Sequence, residues 1–155
     1  MRLSNLADYA VVMLAAAARA GACTRLTATS LAEETRVPLP TAQKLVGRLS
    51  AAGLLVSARG AGGGFRLARS PQDISLADIV EAVEGPIALT SCVEAGRHDC
   101  GIDHHCQVRP HWGAVNDALK DALGNVSLSM LARSPSQSTP PLHPAPVASI
   151  PLVGA

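Results

Sequence analysis

Apolar residues recur at helical spacing near the start of the chain. They step by three or four positions: Leu6, Ala10, Met13, Leu14 and Ala17. This spacing is typical of the buried face of a helix. Ser4 precedes the pattern as an N-cap residue, and Gly21 follows it. The sequence therefore predicts a first helix over residues 4–19.

Two shorter amphipathic segments follow, joined by a proline-rich turn. The first, ATSLAEET, is predicted to be a short helix with Thr27 as its cap, and the second is predicted from Pro40 to Ala52. The turn VPLP separates them because each proline disfavours helix at the preceding residue. The second segment has one apolar side: Ala42, Leu45, Val46 and Leu49. This arrangement predicts a helix-turn-helix, a motif whose second helix enters the major groove of DNA.

A glycine-rich hairpin is predicted next. Leu54–Ser57 and Phe65–Ala68 have the character of strands, and RGAGGG lies between them. Glycines allow the positive φ angles that a hairpin tip needs, and an arginine beside the tip can enter a narrow minor groove. The loop opens no helix, which disfavours a nucleotide-phosphate site. A helix-turn-helix followed by such a hairpin predicts a winged helix.

Two more helices complete the predicted order. Ser75 and Asp78 match a capping box that begins a helix through about Val83. A longer helix from Pro110 to Gly124 has a narrow apolar seam: Trp112, Val115, Leu119, Ala122 and Val126. A seam this narrow fits one partner helix. A second copy of the chain is the favoured partner, and packing onto the chain's own domain is the alternative.

These elements predict a mainly α fold with a small β-hairpin wing, namely a winged helix-turn-helix domain plus a long dimerisation helix. The expected divisions are a DNA-binding domain over residues 1–84, a ligand-rich loop over 85–109, and the dimerisation helix with a short C-terminal helix over 110–133. Residues 134–155 hold six of the eleven prolines and no charge. Such a tail cannot form a core, and we expect it to be disordered.

Charge is segregated along the chain. Residues 1–70 carry nine Lys or Arg and three Asp or Glu, whereas residues 71–155 carry four Lys or Arg and nine Asp or Glu. A basic half favours a polyanion partner. No apolar run reaches the roughly 18 residues of a membrane span, and Asp8 interrupts the apolar start. We therefore expect no signal peptide, no membrane partner and a cytoplasmic location.

The loop CVEAGRHDCGIDHHCQVRPHW is unusually rich in metal ligands. It holds three of the four cysteines, spaced C-x7-C-x5-C, and four of the five histidines. Clustered thiolates bind zinc or the iron of iron–sulfur clusters. Zinc would need a fourth ligand, and the candidates are His98, His104, His105 and His111. Unrelated surface thiols are the remaining alternative, and Cys23 is expected to be structural.

Taken together, MRLSNLADYAV, VSARGAGGGFRLARSP, ISLADIVEAVEG and the three-cysteine loop resemble the winged-helix iron–sulfur regulators of the IscR/NsrR type. The run GPIALTSC most resembles regulators of SUF-type cluster assembly. The resemblance implies a homodimer and a cluster, [2Fe–2S] or [4Fe–4S], held by Cys92, Cys100 and Cys106. Asp8, supplied by the other subunit, is the first choice of fourth ligand and His111 the second, because Arg109 stands where IscR-type members have histidine.

The expected function is a cluster-sensing regulator, a repressor of SUF-type assembly genes, that binds a palindromic site on double-stranded DNA. Expected DNA contacts come from the basic half: Arg2, Thr41, Gln43, Lys44, Arg48, Arg59, Gly60 and Gly62. A repressor that senses nitric oxide or redox state, and a zinc- or thiol-based winged-helix regulator, are the alternatives. No nucleophile–base pair or enzyme cofactor motif is present, so we do not expect an enzyme.

Overall fold

Helices dominate the computed structural model, which describes residues 3–21, 24–58, 63–93, 100 and 105–133. The elements of this part of the chain are α1 (Asn5–Ala20), α2 (Ala28–Thr35), α3 (Leu39–Ala51), β1 (Leu55–Ser57), β2 (Phe65–Leu67), a 3-10 turn (Pro71–Asp73), α4 (Leu76–Glu84), α5 (Arg109–Gly124) and α6 (Leu128–Leu131). The expectation of a mainly α fold with a β-hairpin wing is confirmed.

Helix α1 forms the centre of the core. The Ser4 side chain caps it by accepting a hydrogen bond from the Ala7 backbone N–H. Its inward face is made of small and flexible residues, with Ala10, Met13 and Leu14 almost fully buried. Small side chains let neighbouring helices approach closely, and α2, α3, α4 and α6 all contact α1.

Helices α2 and α3 form the predicted helix-turn-helix. Thr27 and Ser30 make a reciprocal capping box at the start of α2. Helix α3 begins one residue earlier than the sequence predicts, because Pro38 is its N-cap and Pro40 occupies an early helical position without needing an N–H partner. Its buried residues, Ala42, Leu45 and Leu49, match the predicted apolar side except that Val46 is only half-buried.

The wing is an antiparallel hairpin with Leu55 opposite Leu67 and Ser57 opposite Phe65. Each strand is one residue shorter than predicted. The hairpin is fastened to the segment before α2 because Leu26 and Phe65 exchange two backbone hydrogen bonds of 2.9 Å. Gly64 sits beside this bridge with φ of +119°, and a Cβ there would lie 2.7 Å from the Leu26 carbonyl oxygen.

The C-terminal helices return to the domain through a second backbone bridge. Ser75 caps α4 in the predicted box with Asp78, and it pairs with Ser127 just before α6. Leu128 is fully buried. Helix α5 therefore begins near the cysteine segment and ends against the start of α4.

The predicted seam of α5 is not buried within one chain. Val115 is 48% exposed, Ala122 is exposed, and Trp112 and Leu119 are half-buried. Val126 lies beyond the end of the helix, where its carbonyl accepts a hydrogen bond from the Leu76 backbone N–H.

Candidate functional site

The exposed side of α3 carries the polar residues predicted to contact DNA. Gln43 and Lys44 are exposed and Thr41 is half-buried, while the opposite side packs into the core. A helix held in this way presents its N-terminal half to solvent. Gln and Lys there have the donor and acceptor chemistry that reads adenine and guanine edges in the major groove.

Arg48 has a contact that the sequence did not predict. Its Nη1 donates a hydrogen bond to the Val83 carbonyl near the end of α4. A cation is favourable there because the C-terminal end of a helix carries partial negative charge. Arg48 therefore ties α3 to α4.

Four other residues predicted to contact DNA are not among those that the structure describes. Arg2, and Arg59, Gly60 and Gly62 of the predicted wing tip, are outside the described residues. The stem beneath that tip is ordered by a 2.9 Å hydrogen bond from the Ala58 N–H to the Gly64 carbonyl.

The segment that leads to the first cysteine is held by a buried asparagine. Asn116 on α5 is only 6% exposed. Its Oδ1 accepts a hydrogen bond of 3.0 Å from the Leu89 N–H, and its Nδ2 donates a hydrogen bond of 3.1 Å to the Ile87 carbonyl. The Thr90 hydroxyl then lies 3.0 Å from the Cys92 sulfur. We call these two Asn116 hydrogen bonds the Asn116 clamp.

Helix α4 also contacts this segment. Glu81 Oε1 accepts from the Ile87 N–H at 3.2 Å and lies 3.3 Å from the Lys120 ammonium. Residues from both α4 and α5 therefore fix the backbone that ends at Cys92.

Our sequence reasoning missed Asn116. A signal was present, because Asn116 follows Trp112 by four positions and precedes Leu119 by three, which places a polar residue within an apolar stripe. A polar side chain in such a position needs hydrogen-bond partners when buried. The chain pattern alone did not identify those partners, which lie 27 and 29 residues earlier.

The three predicted ligand cysteines are half-buried with free thiols. Cys92 lines an open cleft of about 420 Å³ together with Arg109, Pro110, Gly113, Asn116 and Asp117. Within residues 3–21, 24–58, 63–93, 100 and 105–133, no three His, Cys, Asp or Glu side chains are grouped to hold a metal ion. The donor chemistry nevertheless fits an iron–sulfur cluster, because free thiols supply the thiolates that iron in such clusters takes.

The predicted fourth ligands lie on different helices. Asp8 is exposed in the first turn of α1, and His111 is exposed in the first turn of α5. The described part of the chain places neither of them in a group of metal-ligating side chains. His105 is exposed just before Cys106, whereas Cys23, His98 and His104 are outside the described residues.

None of the helices that the structure describes is both long enough and apolar enough to cross a lipid bilayer.

Comparisons with known proteins agree on one family. A family model described as "Rrf2: Iron-dependent Transcriptional regulator" matches residues 3–134. The chain is 29% identical to the transcriptional regulator IscR of Photobacterium profundum over 133 residues, covering 86% of this chain and 76% of that protein. It is also 29% identical to IscR of Vibrio cholerae over 131 residues, which cover 84% of this chain and 75% of that protein.

Solved structures show the same likeness. CymR, the global cysteine regulator of B. subtilis, has a TM-score of 0.65 and 28% identity, covering 85% of this chain and 96% of that one. IscR of T. potens has a TM-score of 0.65 and 25% identity, covering 90% and 93%. These relatives are transcriptional regulators, which agrees with the expectation that the chain is not an enzyme.

Proposed function

Because the chain belongs to the Rrf2 family of iron-dependent transcriptional regulators, we propose that it binds operator DNA under the control of an iron–sulfur cluster. The observation that carries this proposal is the clamped segment before Cys92, in a chain whose other two predicted cysteine ligands, Cys100 and Cys106, are also free thiols. Relatives named IscR support an IscR-like regulator. The genes it acts on are proposed to be those of SUF-type cluster assembly, with repression as the mode.

The DNA contacts follow from the exposed side of α3. Thr41, Gln43 and Lys44 would meet bases and phosphates in the major groove, with Arg48 at the far end of the helix. The wing tip, with Arg59, Gly60 and Gly62, would reach the minor groove or the backbone. Arg2 would add to the basic surface. This electrostatic contribution makes binding fall steeply as salt is added.

Cys92, Cys100 and Cys106 would hold the cluster, either [2Fe–2S] or [4Fe–4S]. Asp8 from the partner subunit is the proposed fourth ligand and His111 the second choice. When bound, the cluster supplies a redox-sensitive centre whose presence reports on iron or oxidants. A carboxylate ligand would be easier to displace than a thiolate.

The chain's own residues can relay a change in the cysteine segment. Glu81 and Asn116 connect that segment to α4 and α5, and Arg48 connects α4 to α3. Reordering at Cys92 can therefore bias the position of α3. The proposal is a two-state switch, in which the ligand favours one arrangement through differential binding.

Dimerisation through α5 would place two α3 helices on one duplex. The half-exposed seam supports this arrangement because it has no complete cover within the described part of one chain. A two-fold dimer predicts a palindromic operator with half-sites about one DNA turn apart. A cytoplasmic location fits such a regulator.

Replacing Cys100 with Ala tests the proposed function. We expect loss of the brown chromophore and a change in operator affinity of about tenfold or more, since allosteric couplings commonly reach that size. Unchanged affinity would mean that the cluster does not control DNA binding. A colourless protein that contains zinc would instead favour the zinc- or thiol-based alternative.

A further inference from the structure

A single arginine adopts a backbone conformation that normally belongs to glycine. Arg36 has φ of 62° and ψ of 16°, and it is the one non-glycine residue with positive φ in the described part of the chain. It caps the C-terminal end of α2, in the turn that leads to α3. Such left-handed geometry is disfavoured for a residue with a Cβ, and glycine is the usual choice there.

Within the described part of the chain, no polar contact of the Arg36 side chain compensates for this conformation. Its side chain is exposed, and among the residues that the structure describes no hydrogen bond or ion pair involves its guanidinium. Two other arginines of the chain do have such partners, since Arg19 lies 3.7 Å from Glu34 and Arg48 donates a hydrogen bond to the Val83 carbonyl. A strained residue without an internal partner is a candidate for an external one.

Arg36 borders a surface concavity that also includes the first residue of the predicted DNA-contacting helix. Arg36 lines an open concavity of about 460 Å³ between α2 and the start of α3, with Thr29, Glu33 and Leu39 among its other lining residues. Leu39 precedes Gln43 by four positions, so the two side chains share one side of α3. The concavity is therefore continuous with the side that carries Gln43.

We propose that Arg36 binds a phosphate of the DNA backbone beside the major groove that α3 occupies. This inference rests on the proposed DNA-binding function. In a helix-turn-helix the first helix crosses the DNA backbone, and Arg36 ends that helix. A guanidinium suits this task because its planar fork of donors matches two phosphate oxygens. The left-handed turn at Arg36 ends the first of the two helices, and the residue lines the concavity beside them.

The direct test is Arg36→Gly, because glycine readily adopts this left-handed backbone conformation and the substitution removes only the arginine side chain. Binding is measured to an operator duplex selected from a random pool with the parent protein, and to an unrelated duplex. We expect both affinities to fall at least about threefold, and the slope of log affinity against log salt to shrink by about 0.9 per subunit. The unfolding midpoint should be unchanged or raised by up to about 4 °C, because the backbone strain is relieved.

Three further variants identify the cause of any change. Arg69→Gln removes an equal charge from an arginine that is already held by Asp78 and the Asp73 carbonyl, and it should leave the salt slope unchanged. Glu33→Gln removes a carboxylate from the same concavity, and it should strengthen binding because the carboxylate repels phosphate. Lys44→Ala reports on the α3 interface itself.

The possible outcomes separate the two proposals. If Lys44→Ala weakens binding and Arg36→Gly leaves affinity and salt slope unchanged, Arg36 is not a phosphate contact, although the proposed function stands. A lower unfolding midpoint with unchanged binding would show that Arg36 serves the end of α2 instead. If the parent protein selects no duplex from the pool, the proposed function itself fails.

Discussion

Removing the Asn116 clamp should weaken the attachment of the cysteine segment to α5. Asn116→Ala deletes the hydrogen bonds to the Leu89 N–H and the Ile87 carbonyl, which are 3.0 and 3.1 Å long. Each contributes about 1 kcal/mol net. The side chain and its partner Ile87 are buried, but Leu89 is half-buried, so that water can replace part of the loss there. We therefore expect the free energy of unfolding to fall by about 2 kcal/mol, or roughly 4–8 °C in unfolding midpoint.

Urea unfolding of metal-free protein, followed by circular dichroism, measures this loss without a contribution from cluster binding. Asn125→Ala is the matched control, because Asn125 lies at the end of the same helix and is exposed. It should change the free energy of unfolding by less than about 0.5 kcal/mol. Mass mapping after brief alkylation supplies a second readout, in which the Cys92 thiol of Asn116→Ala reacts faster than that of the parent. Equal unfolding curves and equal alkylation rates for the two variants would refute the role assigned to the clamp.

Three other changes have expected outcomes. Gly64→Ala should lower the free energy of unfolding by about 2–3 kcal/mol in urea titration, because the new Cβ meets the Leu26 carbonyl and φ is +119°; an equal midpoint would contradict the tight approach. Arg48→Met should cost about 1 kcal/mol in the same assay because its hydrogen bond to the Val83 carbonyl is lost, and no loss would remove that link between α3 and α4. Lys44→Ala should weaken DNA binding and reduce its salt slope while stability stays within about 0.5 kcal/mol; binding equal to the parent's would remove Lys44 from the interface.

Periodicity and capping chemistry were enough to predict most of the fold. The caps at Ser4, Thr27 and Ser75 are all formed, because each is a local interaction between residues three positions apart. The start of α3 differs by one residue from the prediction, because Pro38 is the N-cap and Pro40 occupies the second helical position.

The features that connect distant parts of the chain could not be predicted in the same way. The Asn116 clamp and the Arg48 contact depend on how α5 and α3 pack against segments about thirty residues away. The left-handed conformation of Arg36 runs against the preference of its residue type. Each of these three residues lies at a site with a proposed function.

The fourth ligand remains a prediction from resemblance. Asp8 and His111 are exposed on separate helices, and the resemblance implies that Asp8 is supplied by the partner subunit. Comparing iron and sulfide content of Asp8→Ala and His111→Ala, each prepared without oxygen, tests the choice. Loss of cluster only in Asp8→Ala supports the partner carboxylate, whereas loss only in His111→Ala contradicts it.

The central claim is that an iron–sulfur cluster controls how this regulator binds DNA. The most direct measurement takes one anaerobic preparation, determines its absorption spectrum, iron and sulfide, and compares its affinity for a selected operator duplex before and after chelator removes the iron. We expect a coloured protein that contains iron and sulfide, with affinities that differ by about tenfold or more. A colourless protein that cannot be reconstituted, or equal affinities for the two forms, would contradict it.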